Sequence, residues 1–169
     1  KILIGGGYMK MSYLIDSNVL IYALDEESEF NEIALTVIAE AEKGEFTAYI
    51  SSQNLDETFA VITNPKRVNS PLSAEDALKA IKENFLDNPA LTIINPKANT
   101  VSKVFELSRE HLPIRQEIFD IVLIATMLDN KVTGIITNNI EHFKRFEFLE
   151  VIDLDEYLQE FQIGSVIKK

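Results

Sequence analysis

Four short apolar runs separated by stretches of helical periodicity restrict this chain more than any other feature. The runs are Leu14-Ile15, Phe46 to Ile50, Leu91 to Ile94 and Gly134 to Thr137, with Val151-Ile152 a candidate fifth. Between them, Phe30 to Lys43 carries Ile33, Val37, Ile38 and Ala41 at helical spacing and is stopped by Gly44. Ser51-Ser52 opens a second helix to about Thr63, ended by Asn64-Pro65. Ser73 with Asp76 forms a capping pattern for a helix to about Leu86, broken by Asn88-Pro89. Lys97 to Leu112, Glu117 to Asn130, Asn139 to Phe146 and Asp153 to Phe161 read as further helices, and Asp16-Ser17-Asn18 is suited to cap a turn. Short apolar strands alternating with helices predict an α/β fold, with a mostly parallel sheet covered on both faces.

A single domain follows from the 169 residues, and Lys1 to Lys10, with Gly5-Gly6-Gly7, reads as a flexible extension or tag remnant ahead of a domain over 11–163. Hydrophobic residues make up 46% and charged residues 25%, which excludes a largely disordered chain. No apolar run approaches the length of a membrane span and the opening residues do not resemble a signal peptide, so a cytoplasmic protein is expected. A net charge of −11 argues against a protein that coats nucleic acid, although it leaves room for an enzyme with a local basic rim.

Within the apolar run Ile118 to Leu128 stands one carboxylate, Asp120. An ionised carboxylate buried without a partner costs several kcal/mol, so Asp120 is expected to be protonated, paired or bound to a cation. No Lys, Arg or His lies within a helical turn of it. Asp16 closes the run Tyr13-Leu14-Ile15, and Glu57 precedes Thr58-Phe59-Ala60-Val61-Ile62. Three carboxylates in apolar settings, far apart in sequence, suggest one shared metal site. Bland alternatives stand beside this reading: Asp16 as a helix cap, Glu57 as a solvated helix residue, His142 as a packed or surface histidine. Asp120 has the weakest such alternative. With no cysteine and only His111 and His142, the ligands would be mainly oxygen, which favours magnesium or manganese.

Ile15-Asp16-Ser17-Asn18-Val19-Leu20, Ser51 to Glu57, Phe119 to Ala125 and Ile136-Thr137-Asn138-Asn139-Ile140-Glu141-His142-Phe143 resemble, in order, the motifs of PIN domains, over roughly Met11 to Leu154. In size and lack of appended domains the chain looks most like the VapC-type toxins of toxin–antitoxin pairs. The resemblance implies a three-layer α/β/α sandwich and a magnesium- or manganese-dependent endoribonuclease acting on RNA. It also implies a homodimer and an antitoxin protein as partner. Asp16, Glu57 and Asp120 match the family's metal-holding carboxylates. Asp56 is left out, because a helix points it about 100° away from Glu57. The fourth family position, commonly acidic, is Asn139 here, able to assist through its amide oxygen, and the acidic residue expected before the Phe is His142. Glu141 could compensate only if turned inward.

Lys66, Arg67, Lys144 and Arg145 are candidate phosphate contacts. Apolar segments over Phe46 to Val61 and Pro71 to Leu86 exceed what one small sandwich needs, in keeping with a dimer. A degenerate PIN domain that binds RNA or protein without cleavage is the alternative. A phosphatase of the phosphoaspartate type is disfavoured, since Asn18 stands where its second aspartate belongs.

Overall fold

The computed structural model describes residues 11–157 in full and, before them, the backbone of 2–4 and 7–9. Those two segments, β1 (Ile2–Ile4) and β2 (Gly7–Met9), pair antiparallel. The expected extension over Lys1 to Lys10 falls on a stretch of which only these two backbones are described.

The domain itself is built on β3 (Ser12–Ile15), β4 (Thr47–Ser51), β5 (Leu91–Ile94), β6 (Gly134–Thr137) and β7 (Glu150–Asp153). They form one sheet in the order β5-β4-β3-β6-β7, every pairing parallel. The helices are α1 (Ser17–Leu24), α2 (Asn31–Glu42), α3 (Ser52–Ile62), α4 (Ala74–Ile81), α5 (Thr100–His111), α6 (Glu117–Asp129) and α7 (Ile140–Phe143). A π-helical segment, Lys82–Leu86, extends α4. Residues 154–157 begin the closing helix expected from Asp153 to Phe161, and the rest of it lies outside the described residues.

Side-chain alternation in the strands explains the three layers. Tyr13 and Ile15 of β3 pack with Val19, Leu20, Val37, Phe46 and Ile50 in one core. Leu14, between them, faces the other core with Ile121, Ile124, Met127 and Ile135. The sheet therefore buries both faces, under α1, α2 and α4 on one side and under α5 and α6 on the other. At the centre of the sheet Gly134 is required for close approach, since a Cβ there would lie 2.9 Å from the Ser12 carbonyl oxygen and against the Tyr13 ring.

Local chemistry sets the ends of the elements. Ser51 caps α3 by accepting from Asn54 N–H at 3.0 Å, and the Asn54 side chain accepts from Ser51 N–H at 3.0 Å, a reciprocal capping box. Gly44, with φ 73°, takes the left-handed conformation that ends α2. Leu112 takes φ 44° ahead of Pro113, and the chain leaves α5 there. One helix went unread in the sequence: α1, only eight residues long and apolar throughout from Val19.

Candidate active site

The chain runs β3, β4, β5 toward one edge of the sheet and then returns to place β6 and β7 on the other side of β3. Such a reversal leaves a crevice at the carboxyl ends of the two central strands. Asp16 follows β3, Thr137 ends β6, Glu57 sits in the second turn of α3 just after β4, and Asp120 lies in the first turn of α6. All three carboxylates, with Asn139 and His142, line one open groove of about 1040 Å³.

Asp16 is both the cap of α1 and the deepest group of the groove, with 5% of its surface exposed. Its Oδ1 accepts from Ser17 N–H at 2.7 Å and from Asn54 Nδ2 at 3.3 Å. Its Oδ2 accepts from Asn18 Nδ2 at 2.8 Å and from Thr137 Oγ1 at 2.7 Å. Burial raises its pKa from 3.8 to about 6, against the lowering effect of the Thr137 and Ser17 hydrogen bonds and with the help of the Glu57 and Asp120 charges. The carboxylates thus repel one another in the absence of a cation.

Glu57 accepts from Ser17 Oγ at 2.9 Å and from Gln53 Nε2 at 2.9 Å. Gln53 Nε2 also donates to the Phe119 carbonyl at 3.1 Å, tying α3 to the start of α6. Asp120 is less buried than its apolar neighbours in sequence suggest, with 21% of its side chain exposed. The fully buried residues of α6 begin at Ile121, and Phe119 is exposed. The partner of Asp120 comes from 22 residues away: His142 Nδ1 is 3.0 Å from Asp120 Oδ2. Burial nevertheless raises the Asp120 pKa, with His142 and Arg145 opposing and Glu57 adding to the rise.

Among the described residues no three acidic or histidine side chains already stand as a ligating cluster. The oxygens of Asp16 and Glu57 are turned to Ser17, Asn18, Gln53, Asn54 and Thr137, and Asp120 is turned to His142. Asn139 is exposed, and its backbone N–H donates to Thr137 Oγ1 at 2.9 Å. Glu141 does not turn inward: its side chain is 85% exposed and meets Lys144. Asp56 is exposed, away from Glu57. Of the four candidate phosphate contacts, Arg67 lines the groove and Lys66 is exposed without lining it, whereas Lys144 pairs with Glu141 and Arg145 with Glu117. Arg115, also in the groove wall, was missed. Its signal in the sequence was slight, a single arginine in the loop after Pro113, and it takes a left-handed φ of 52°. Ser17 and Asn54 were equally hidden, because each bonds a carboxylate on another element, Glu57 and Asp16, whereas Asn18 and Gln53 bond Asp16 and Glu57 within their own turn.

A central parallel sheet with helices on both faces, and an acidic crevice at the strand ends, defines a three-layer α/β/α domain of PIN-like architecture. The chain belongs to the PIN domain family, whose model matches residues 13–149. Among solved structures it is similar in fold to VapBC2 from Rickettsia felis bound to a DNA fragment from its promoter, at 22% identity over 85% of this chain and 98% of that one, TM-score 0.61. VapBC-1 from nontypeable Haemophilus influenzae is similar at 18% identity over 86% and 99%, TM-score 0.59. VapC20 of Mycobacterium tuberculosis, a toxin that cleaves the sarcin-ricin loop, is similar at 13% identity over 73% and 86%, TM-score 0.54. No curated protein matches the sequence. No helix among the described residues is long and apolar enough to cross a membrane.

Proposed function

We propose that this PIN domain is a metal-dependent endoribonuclease, the toxin of a cytoplasmic toxin–antitoxin pair. The observation that carries the reading is the meeting of Asp16, Glu57 and Asp120, from three separate elements, in one groove that also holds Arg67 and Arg115. These oxygen donors fit a hard divalent cation such as magnesium or manganese, whose charge would offset the burial that chiefly raises the Asp16 pKa and the smaller contribution of the Glu57 and Asp120 charges. Asp16, Glu57 and Asp120 would hold the ion, with Asn139 assisting through its amide oxygen. When bound, such an ion lowers the pKa of a water and neutralises charge developing on a phosphate.

The residues of the chain supply the rest. Ser17, Asn18, Asn54 and Thr137 fix the Asp16 carboxylate by hydrogen bonds, so its orientation is set before any ligand arrives. Gln53 and Ser17 hold the two oxygens of Glu57 in the same way. Arg67 and Arg115 offer positive charge to a phosphodiester within a chain that is acidic overall, and Arg is suited to bidentate phosphate contact.

The test is cleavage of a structured RNA by the purified protein with magnesium or manganese, against the same reaction in chelator. Cation-dependent internal cuts that vanish in Asp120→Asn support the reading; cuts that persist in the variant refute it. A second reading, a degenerate domain that binds RNA or protein without cutting, is favoured by the Asn139 amide and by the His142 contact on Asp120. RNA binding with no cleavage under any cation would establish it.

The partners follow the same proposal. Val101 and Phe105 of α5, Leu112 and Ile114 of the loop after it and Phe119 of α6 are each more than half exposed. A homodimer burying at least about 1,000 Å² would cover such side chains. An antitoxin would set a basic side chain, most effectively an arginine, against the carboxylates. Light scattering that gives a monomer mass at micromolar concentration refutes the dimer.

A further inference from the structure

The first turn of α6 presents a phenyl ring to the groove and not to the core. Phe119 is 55% exposed, whereas Ile121 and Ile124 further along the helix are fully buried. One exposed apolar side chain needs no explanation by itself. The setting of Phe119 does. Val101, Phe105 and Leu112 lie outside the groove, whereas Ile114 and Phe119 line it, so a dimer through the former need not cover the latter. Arg67 and Arg115 line the groove as well, and among the described residues neither guanidinium has a partner, in contrast to Arg145 with Glu117. The wall that carries Ile114, Arg115 and Phe119 is braced from behind. Gln53 Nε2 donates to the Phe119 carbonyl at 3.1 Å, and Ile114 N–H donates to Glu117 Oε2 at 3.0 Å. Backbone held at both ends, with its apolar and cationic side chains left open, is suited to contact with a ligand.

We infer that Phe119 is a stacking platform, seating the unpaired nucleobase next to the phosphate that the groove cleaves. The inference rests on the nuclease reading and adds the residue that positions the base. Phe119 and Asp120 are consecutive, so their Cα atoms stand about 3.8 Å apart. A base lying on the Phe119 ring therefore belongs to a nucleotide adjoining a phosphate held at Asp120. Aromatic rings accept the face of any base, and guanidinium matches phosphate oxygens. An open ring beside two unpartnered guanidiniums suits RNA, with its flat bases and anionic linkage, better than a peptide. A base within a duplex is already stacked on both faces, so the seated nucleotide is one from a loop, bulge or single strand.

The chain has no tryptophan, so Phe119→Trp installs a single indole at the platform. This variant, combined with Asp120→Asn to prevent cleavage, is titrated in magnesium with a short single-stranded oligoribonucleotide of mixed sequence. Strong quenching of the indole emission on binding is expected, because a stacked base lies against the ring. By fluorescence anisotropy of the labelled oligomer, Phe119→Ala and Phe119→Leu in the same background should bind about tenfold or more weakly than Asp120→Asn alone. Leucine keeps the apolar surface and removes the ring face, which separates stacking from burial. Binding with unchanged indole emission overturns the inference, as does Phe119→Leu binding as tightly as its parent. Emission that shifts with protein concentration without RNA, and no further on adding it, assigns Phe119 to a contact between copies and also overturns it. These three results leave the nuclease reading standing. Absence of RNA binding by both the wild-type protein and Asp120→Asn overturns the inference and the nuclease reading together.

Discussion

Replacing Asp16 by asparagine isolates the cost of an ionised carboxylate at the base of the groove. The group is almost wholly buried, and its pKa rises from 3.8 to about 6 in the folded chain. At about 1.36 kcal/mol per unit, the shift corresponds to roughly 3 kcal/mol. The sign follows from which state holds its proton longer. Below about pH 3 the carboxyl is protonated folded and unfolded, and it carries no penalty. Between pH 4 and 6 the unfolded chain ionises first, so stability falls as pH rises. Above pH 6 the folded metal-free protein carries the whole cost. The asparagine side chain cannot ionise, so the difference in unfolding free energy between Asp16→Asn and wild type should grow by about 2–3 kcal/mol from pH 4 to pH 7.5, on top of a constant offset from altered hydrogen bonding. Urea denaturation in chelator at four pH values measures it, and a thermal scan should show the gap widening by roughly 6–12 °C. On the proposed function, manganese or magnesium closes that gap by stabilising wild type alone. A difference that stays flat from pH 4 to 7.5 refutes the reasoning, because Asp16 would then ionise as easily folded as unfolded.

Asp120→Asn should leave the fold intact, with stability in chelator equal to or above wild type because burial penalises its ionised form, while cation-dependent RNA cleavage falls below detection; circular dichroism and a gel assay check the two halves. Ser17→Ala deletes the hydrogen bond donated to Glu57 and should cost about 1 kcal/mol in urea denaturation, with weaker cation affinity by calorimetry. Gly134→Ala forces a methyl group against Tyr13 and the Ser12 carbonyl and should destabilise by about 1–3 kcal/mol; a melting temperature equal to wild type would show that the strands part more easily than the packing implies. Removing the charge of Arg67 or Arg115 should weaken RNA binding evenly across sequences and flatten its salt dependence, measured by titration in chelator.

The layered fold was legible in the residues because its signals are local and repeated. Each strand is a short apolar run, each helix has its own period and stop, and runs apolar on both faces require cover on both sides. Strands β3 to β7 occur where those runs predicted them, and α1 was missed because eight residues, six of them a continuous apolar run, hold too little periodicity. Asp16, Glu57 and Asp120 stood out as charges out of place, since burying charge is costly wherever it occurs. Strand order was another matter: only the packed sheet sets β6 beside β3, and that pairing brings Thr137 to Asp16 and to Asn18. The surroundings of Asp120 were misjudged for the same reason. Its neighbours in sequence are apolar, but the first turn of α6 lies at the groove mouth, within reach of His142. Burial, pairing and the pKa shifts they cause depend on contacts between residues tens of positions apart, and no local pattern encodes such distances.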